Sequence, residues 1–442
     1  MADHARSTDP AVQRQLDRLA TFSPGLDTLG LERIQQMLGR LGNPEEALPP
    51  VFHVAGTNGK GSTCAFLRAA LEAAGHKVHV FSSPHLVRFN ERIRLAGRLI
   101  DDEQLAHYLE RALDISEDLA PSFFEVTTAA ALLAFAEVPA DACVIEVGLG
   151  GRLDATNVIA APAVTGISQI ALDHQAFLGN RTELIAAEKA GIAKPHVPLV
   201  TQRYPRAIAE RMQAAARAVD APLFARGDAW DVASYREALH YRDAEGRLEL
   251  PPPRLAGAHQ VQNAGLAIAM LRHQSALPVP PSAMRAAMGW AEWPARMQPL
   301  SAGPLRDLLP PGAELWLDGG HNPAAARVVA EHLRSAVPAG KPLHLVMGLL
   351  ANKDAIGVLH AFAGRHATLH AVPVPDHDHH APAEIVSIAK ANGLTARTAK
   401  DVTDALSWIG RHADRAEPPF VLVMGSLYLA GEVLARNDQM PD

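Results

Sequence analysis

The stretch VFHVAGTNGKGST, Val51 to Thr63, constrains this chain more than any other. An apolar, β-branched run stops at Gly56, passes through small and polar residues around one lysine, Lys60, and gives way to a helical pattern. A buried strand feeding a helix through so short a turn belongs to a sheet with helices packed on it. Glycines there let the backbone approach a ligand closely, and a helix N-terminus favours an anion. The helix is expected to begin near Ser62, with the loop amides pointing into the space before it. Lys60 would neutralise a phosphate, while the Ser62 or Thr63 hydroxyl reaches Mg2+, as in phosphate-binding loops. The expected ligand is a nucleoside triphosphate gripped by Gly56, Thr57, Asn58, Gly59, Lys60, Gly61 and Ser62. The match to G-x-x-x-x-G-K-[ST] is imperfect: Val54 replaces the first glycine and Gly61 separates Lys60 from Ser62.

The same alternation recurs. VFHVAG, KVHVFSS, ACVIEVG and AVTGISQI read as strands, separated by helical stretches such as TCAFLRAALEAAG and TTAAALLAFAEV. This is the signature of a doubly wound, parallel α/β sheet. A second series, ELWLDGG, PLHLVMG, TLHAVPV and PFVLVMGS, implies a smaller, Rossmann-like α/β domain. Proline disfavours helix in the residue before it, so Trp293-Pro294 marks the expected boundary, giving domains 1–294 and 295–442. PPPRL at 251–255 reads as a loop inside the first domain. At 442 residues two domains are the default.

Against 48 acidic residues stand 41 basic ones, a net charge of −7 with no long run of one sign, which disfavours a nucleic-acid surface. No stretch has the length of a membrane span, and MADHARSTDP lacks a basic segment followed by an apolar core. A cytoplasmic protein is expected. Cys64 and Cys143 each lie in apolar context and read as buried thiols. PDHDHHAP at 375–382 reads as a solvated turn between prolines and not as a metal site.

GTNGKGS resembles the phosphate loop of the Mur ligase superfamily. LDTLGLERI (26–34), SSPHLVRFNERIR (82–94), FFEVTTAAAL (123–132), VIEVGLGGRLDATN (144–157), IALDHQAFLG (170–179), EKAGIAK (188–194), LDGGHNP (317–323) and MGSLYLA (424–430) resemble, in order, segments of bacterial dihydrofolate synthase/folylpolyglutamate synthase. Only 55 residues precede Gly56, too few for the UDP-sugar domain that precedes this loop in peptidoglycan ligases.

On the residues themselves, Glu146 ends a strand at the sheet edge where α/β ligand sites lie, and its carboxylate suits Mg2+. The resemblance adds metal roles for Ser62, Ser83, His174 and Lys189, the last as a carbamate that needs a depressed pKa to form. Lys60, Glu146, His174 and Lys189 form the implied catalytic set. By the same resemblance Asn263, Arg296, Asp318 and His321 meet ATP. Asp27, Thr28, Leu29, Pro84, Ser122, Phe123, Phe124, Glu125, Arg152, Leu153 and Asp154 meet the pterin substrate.

The implied activity is ATP-dependent addition of L-glutamate to dihydropteroate and to the γ-carboxylate of folates. It requires ATP and two Mg2+ sites and leaves a monovalent cation open. A monomer that closes about its linker is expected. Another Mur-type amide ligase with a different carboxylate substrate and a non-catalytic nucleotide-binding regulator are the alternatives; a substrate panel scored by ADP release separates the first, and glutamate-dependent ATP turnover the second.

Overall fold

The computed structural model describes residues 5–22 and 29–442. The expected pterin contacts Asp27 and Thr28 lie outside the described residues. The chain divides into two compact units, one of Met1–Arg254, Gln260–Glu292 and Asp442, the other of Leu255–His259 and Trp293–Pro441. The division thus falls just ahead of Pro294. The end of the 251–255 loop passes to the second unit, because composition marks a loop but not the body on which it packs.

In the first unit, β1 (Val51–Ala55), β2 (Val78–Phe81), β3 (Ile93–Leu95), β4 (Arg98–Leu99), β5 (Ala142–Glu146), β6 (Val164–Ile167), β7 (Leu199–Thr201) and β8 (Leu223–Ala225) form one sheet. Their order is β4-β3-β2-β5-β1-β6-β7-β8. From β2 to β8 all pairings are parallel, and β3 and β4 add an antiparallel edge. Every residue of β1 and β5 is buried, as central parallel strands require. On one side the helices Pro10–Phe22, Asp102–Asp114 and Phe123–Glu137 share a core with Val51, Phe81 and Ile145. The Phe123–Glu137 helix is apolar almost all round, and it is accordingly buried along nearly its whole length.

The chain leaves β1 for β2, then returns through β5 to β6 on the other flank of β1. The carboxyl ends of β2, β5, β1 and β6 therefore lie side by side at the point where strand order reverses, the place where open α/β sheets bind ligands.

A small antiparallel sheet of β9 (Trp230–Tyr235), β10 (Ala238–Asp243) and β11 (Gly246–Leu250) braces the helix Ala258–His273. Arg272 of that helix donates to both Asp243 oxygens at 2.6 and 2.7 Å. Close packing at Gly265, where a Cβ would lie 2.5 Å from the Val232 side chain, completes the seam.

The second unit holds β12 (Gln298–Pro299), β13 (Glu314–Asp318), β14 (Leu343–Met347), β15 (Ala367–Ala371), β16 (Thr395–Thr398) and β17 (Phe420–Met424). Their order is β12-β13-β17-β14-β15-β16, parallel except for β12. Leu345, Leu369 and Leu422 centre its core.

Among the described residues burial holds several imidazoles neutral, among them His53 in β1, pushed down to about 3, His370 in β15, to about 3, and its hydrogen-bonded neighbour His344 in β14, to about 4. Their folded pKa values lie below the unfolded value near 6.5, so the unfolded chain binds protons first as pH falls. Stability is full above about pH 6.5 and declines below it, by up to about 1.4 kcal/mol per pH unit for each group. Thermal midpoints should therefore fall steadily from pH 7 to pH 5, and His370→Phe should flatten that slope. An unchanged slope in the variant would remove the histidine explanation.

Candidate active site

The loop after β1 is built by its neighbours. Gly56, at φ 149°, packs so closely on Ser168 that a Cβ would lie 1.9 Å from its hydroxyl oxygen. Gly59 caps the helix Lys60–Ala73 at φ 89°, and a Cβ there would lie 2.4 Å from the Asn263 Oδ1. The helix begins at Lys60, ahead of the expected Ser62, because Gly59 supplies the left-handed turn that a helix entry needs here.

The amides are also fewer than expected. Thr57 N–H and Asn58 N–H donate to the Gln169 carbonyl at 2.7 and 3.3 Å, lacing the loop to the segment after β6. Thr57 Oγ1 donates to the Ala171 carbonyl at 3.1 Å, and Ser168 Oγ donates to the Asn58 carbonyl at 2.8 Å. The anion cradle then rests on the amides of Lys60, Gly61 and Ser62, which have no carbonyl one turn back inside the helix.

Lys60 Nζ lies 3.9 Å from Glu146 Oε1, and both side chains are largely buried. The register Val54↔Glu146 sets this approach, since β1 and β5 are adjacent. Ser62, buried in the first turn, accepts from Gln260 Nε2 at 3.3 Å, and Gln260 Oε1 accepts from Asn263 Nδ2 at 3.0 Å. Gln260 is a residue that the sequence reading misses; its only signal is the three-residue spacing from Asn263, which puts both on one helix face.

Ser83, half-buried, follows β2, with Pro84 exposed beside it. His174 follows β6 in a left-handed conformation, φ 50°, with its amide donating to Asp173 Oδ1 at 2.8 Å. Lys189 ends the helix Thr182–Ala190 and is 4% exposed; burial and the Lys60 charge push its ammonium down to about 7. The edge thus presents, in lateral order, Ser83, Glu146, the Lys60 loop and His174.

The expected pterin residues divide. Ser122 and Glu125 form a capping box on the helix Phe123–Glu137: Ser122 Oγ accepts from the Glu125 amide, and Glu125 Oε2 accepts from the Ser122 amide. The same Oε2 takes Arg33 Nε at 3.1 Å, an ion pair absent from the sequence reading. Phe124 reaches the GLGG turn, where a Cβ on Gly148 would lie 2.4 Å from its ring, whereas Phe123 packs edge-on to Phe89. Arg152 is exposed and paired with Glu188 at 2.8 Å, and Leu153 is half-buried, as is Leu29. Asp154 is buried: Oδ2 accepts from the Leu149 amide at 2.8 Å, and Oδ1 from the Thr156 amide at 3.0 Å.

Within the second unit, Asp318 ends β13 and holds a strained loop. Its Oδ1 accepts from the Gly320 amide at 2.7 Å and its Oδ2 from the Met297 amide at 2.9 Å. Ala295 (φ 55°) and Met297 (φ 42°) both lie in the left-handed region, so Arg296 is fixed between two strained residues. His321 Nδ1 donates to the Gly319 carbonyl at 2.9 Å, and Asn322 caps the helix Pro323–Ala336 through the Ala325 amide. In the 375–382 loop the ring nitrogens of His377, His379 and His380 engage backbone carbonyls.

Among the described residues no three His, Cys, Asp or Glu side chains cluster to hold a metal. The expected ligand set holds two such residues, Glu146 and His174; Ser62 and Ser83 bring hydroxyl donors. That composition fits Mg2+, which keeps waters and phosphate oxygens in its shell and needs few protein ligands.

A parallel sheet ending in a lysine-bearing turn, with a carboxylate on the next strand, defines a mononucleotide-binding α/β protein. Residues 54–271 match the Mur ligase middle domain, and residues 306–436 match the dihydrofolate synthetase C-terminal domain. The dihydrofolate synthase/folylpolyglutamate synthase of Bacillus subtilis is 33% identical over 92% of this chain and 94% of its own length. E. coli FolC, solved with DHPP and ADP, superimposes with a TM-score of 0.87 at 31% identity, covering 98% of each chain. The bifunctional synthase of Yersinia pestis, solved with AMPPNP and a manganese ion, gives a TM-score of 0.83 at 33% identity over 97% of this chain and 99% of that one. This chain belongs to the dihydrofolate synthase/folylpolyglutamate synthase family.

Proposed function

We propose that this chain adds L-glutamate to dihydropteroate, forming dihydrofolate, and to the γ-carboxylate of folates, with ATP as the source of free energy. The observation that carries the reading is the Lys60–Glu146 pair at the start of the phosphate-loop helix, with the buried Lys189 close enough for its ammonium to feel the Lys60 charge.

A carboxylate is a poor acyl donor because oxide would have to leave. Its oxygen instead attacks the γ-phosphorus of ATP; the bond to the ADP oxygen breaks and an acyl phosphate forms. Lys60 and the amides of Lys60 to Ser62 stabilise the charge on the transferring oxygens. The glutamate amine then attacks the acyl carbon, a tetrahedral intermediate expels phosphate, and the nitrogen loses its proton to leave the amide. No protein nucleophile takes part.

Ser62, Ser83, Glu146, His174 and a carbamylated Lys189 would hold Mg2+, which when bound neutralises phosphate charge. Lys189 can take up CO2 because its amine is partly neutral near pH 7. Leu29, Pro84, Ser122 to Glu125 and Arg152 to Asp154 are assigned to the pterin substrate. Asn263, and in the second unit Arg296, Asp318 and His321, are assigned to the nucleotide. The two units act as an ATP-binding domain and a ligase C-terminal domain in a cytoplasmic monomer.

The test is a panel of carboxylates and amines scored by ADP release. Dihydropteroate with L-glutamate should give the highest kcat/KM; greater turnover with another acid or amine would overturn the substrate assignment.

A further inference from the structure

Two buried polar residues, His53 and Thr156, lead to Asp154 and have no role in the mechanism above. His53 lies in the middle of β1, wholly buried, between β5 and β6. Its Nε2 is 2.8 Å from Thr156 Oγ1. Thr156 Oγ1 is in turn 2.5 Å from Asp154 Oδ1.

The direction of this chain follows from proton counting. Burial raises the Asp154 carboxyl above its ordinary range, opposed by the hydrogen bonds from Leu149 and Thr156 and by the Lys189 charge. As the carboxylate that those contacts favour it can only accept, so the single Thr156 hydroxyl proton points to it. The hydroxyl oxygen must then accept from His53, which fixes the Nε2–H tautomer. Burial holds that imidazole neutral. The carboxylate has its Oδ1 engaged twice, by the Thr156 amide and hydroxyl, and its Oδ2 once, by the Leu149 amide. One lone pair of Oδ2 is left, and its direction is set by how firmly Oδ1 is held.

We propose that His53 is a positioning residue: through Thr156 it aims the remaining lone pair of Asp154 at one N–H donor of the pterin ring. The inference rests on the assignment of Asp154 to the substrate. It implies that a residue in the sheet core, beyond reach of any ligand, sets the affinity for the pterin and not for ATP.

Steady-state kinetics of His53→Leu, His53→Gln, Thr156→Val and the His53→Leu/Thr156→Val pair test this. Loss of one hydrogen bond in the chain should raise the KM for dihydropteroate by about tenfold. The KM for ATP should stay within about twofold. His53→Gln, which keeps an N–H at the same reach, should recover most of the loss. Because both single changes break the same chain, the double variant should be no worse than Thr156→Val alone. Additive losses, an equal rise in the KM for ATP, or failure of His53→Gln to recover the substrate KM would overturn the proposal.

Imidazole nitrogen NMR gives a reading independent of turnover, with the His53 resonance identified by its absence in His53→Gln. It should show an Nε2–H tautomer whose shift changes in Thr156→Val. An Nδ1–H tautomer, or a shift indifferent to Thr156, would overturn the relay even if ligase activity is intact. Absent glutamate-dependent turnover with the tautomer as expected would instead count against the substrate assignment.

Discussion

Replacing Lys60 by alanine is expected to lower glutamate-dependent ADP release by at least about 10³-fold, the scale on which a single charged donor acts in phosphoryl transfer. The reason is the crowding of the site: Lys60 is the cation in the first turn of the helix, 3.9 Å from Glu146. Without it, the helix N-terminal amides and Mg2+ are left to offset the charge on the transferring oxygens beside the Glu146 carboxylate, with no ammonium in the first turn. Lys60→Arg should fall nearly as far, because the planar fork cannot replace a compact ammonium in a turn this tight. A cooperative thermal transition in both variants would show that they fold, so that the loss is read as catalysis and not as unfolding. Activity within tenfold of the parent in Lys60→Ala would contradict the role assigned to this ammonium.

Gly151→Ala should cost about 100-fold in kcat while leaving the KM for ATP close to the parent value. A Cβ at this position would lie 2.8 Å from the Glu188 carbonyl oxygen, 2.9 Å from the Lys189 carbonyl oxygen and 3.0 Å from Lys189 Cα. All three are backbone atoms, so no side chain can swing aside. The seam is tight from the other side as well, for a Cβ on Gly191 would lie 2.3 Å from the Arg152 Cβ. The helix end carrying Lys189 must therefore shift, and a displacement of about 1 Å suffices for a loss of about 100-fold at a reacting centre. Gly289→Ala, where a Cβ meets open space in a helix, is the control and should be neutral or slightly stabilising. A Gly151→Ala enzyme with parental kcat would show that the backbone placement of Lys189 does not matter.

What the sequence discloses about this molecule follows strand ends. Lys60, Glu146, Ser83 and His174 each stand just after or at the end of an apolar run, and parallel topology carries such residues to one edge whatever the loops between them do. The partners of those residues are a different matter. Gln260 reaches Ser62 across 198 positions, and Arg33 reaches Glu125 across 92, through contacts that no local pattern announces. The hydrogen bonds of Thr57 and Asn58 to Gln169 likewise withdraw two amides from the phosphate cradle, and only the neighbouring segment after β6 makes that happen. Glu125 shows the converse: its spacing from Ser122 already spells a helix cap, and the cap is present alongside the Arg33 pair.

In the fold, the long buried runs of β1, β2, β5 and β6 are legible as strands. The three-residue β7 and β8 and the two-residue β4 are too short to carry a period. The hairpin sheet of β9 to β11 alternates buried and exposed residues with charges among them, and its only punctuation is the turn before Gly246.

Activation of a substrate carboxylate by the γ-phosphoryl group of ATP is the step on which every assigned role depends. Dihydropteroate carrying ¹⁸O in its carboxylate, turned over with ATP and L-glutamate, tests it most directly. One labelled oxygen should appear in the inorganic phosphate released for each amide formed. If the phosphate is unlabelled and the oxygen is lost to water instead, no acyl phosphate forms and the proposed mechanism is wrong.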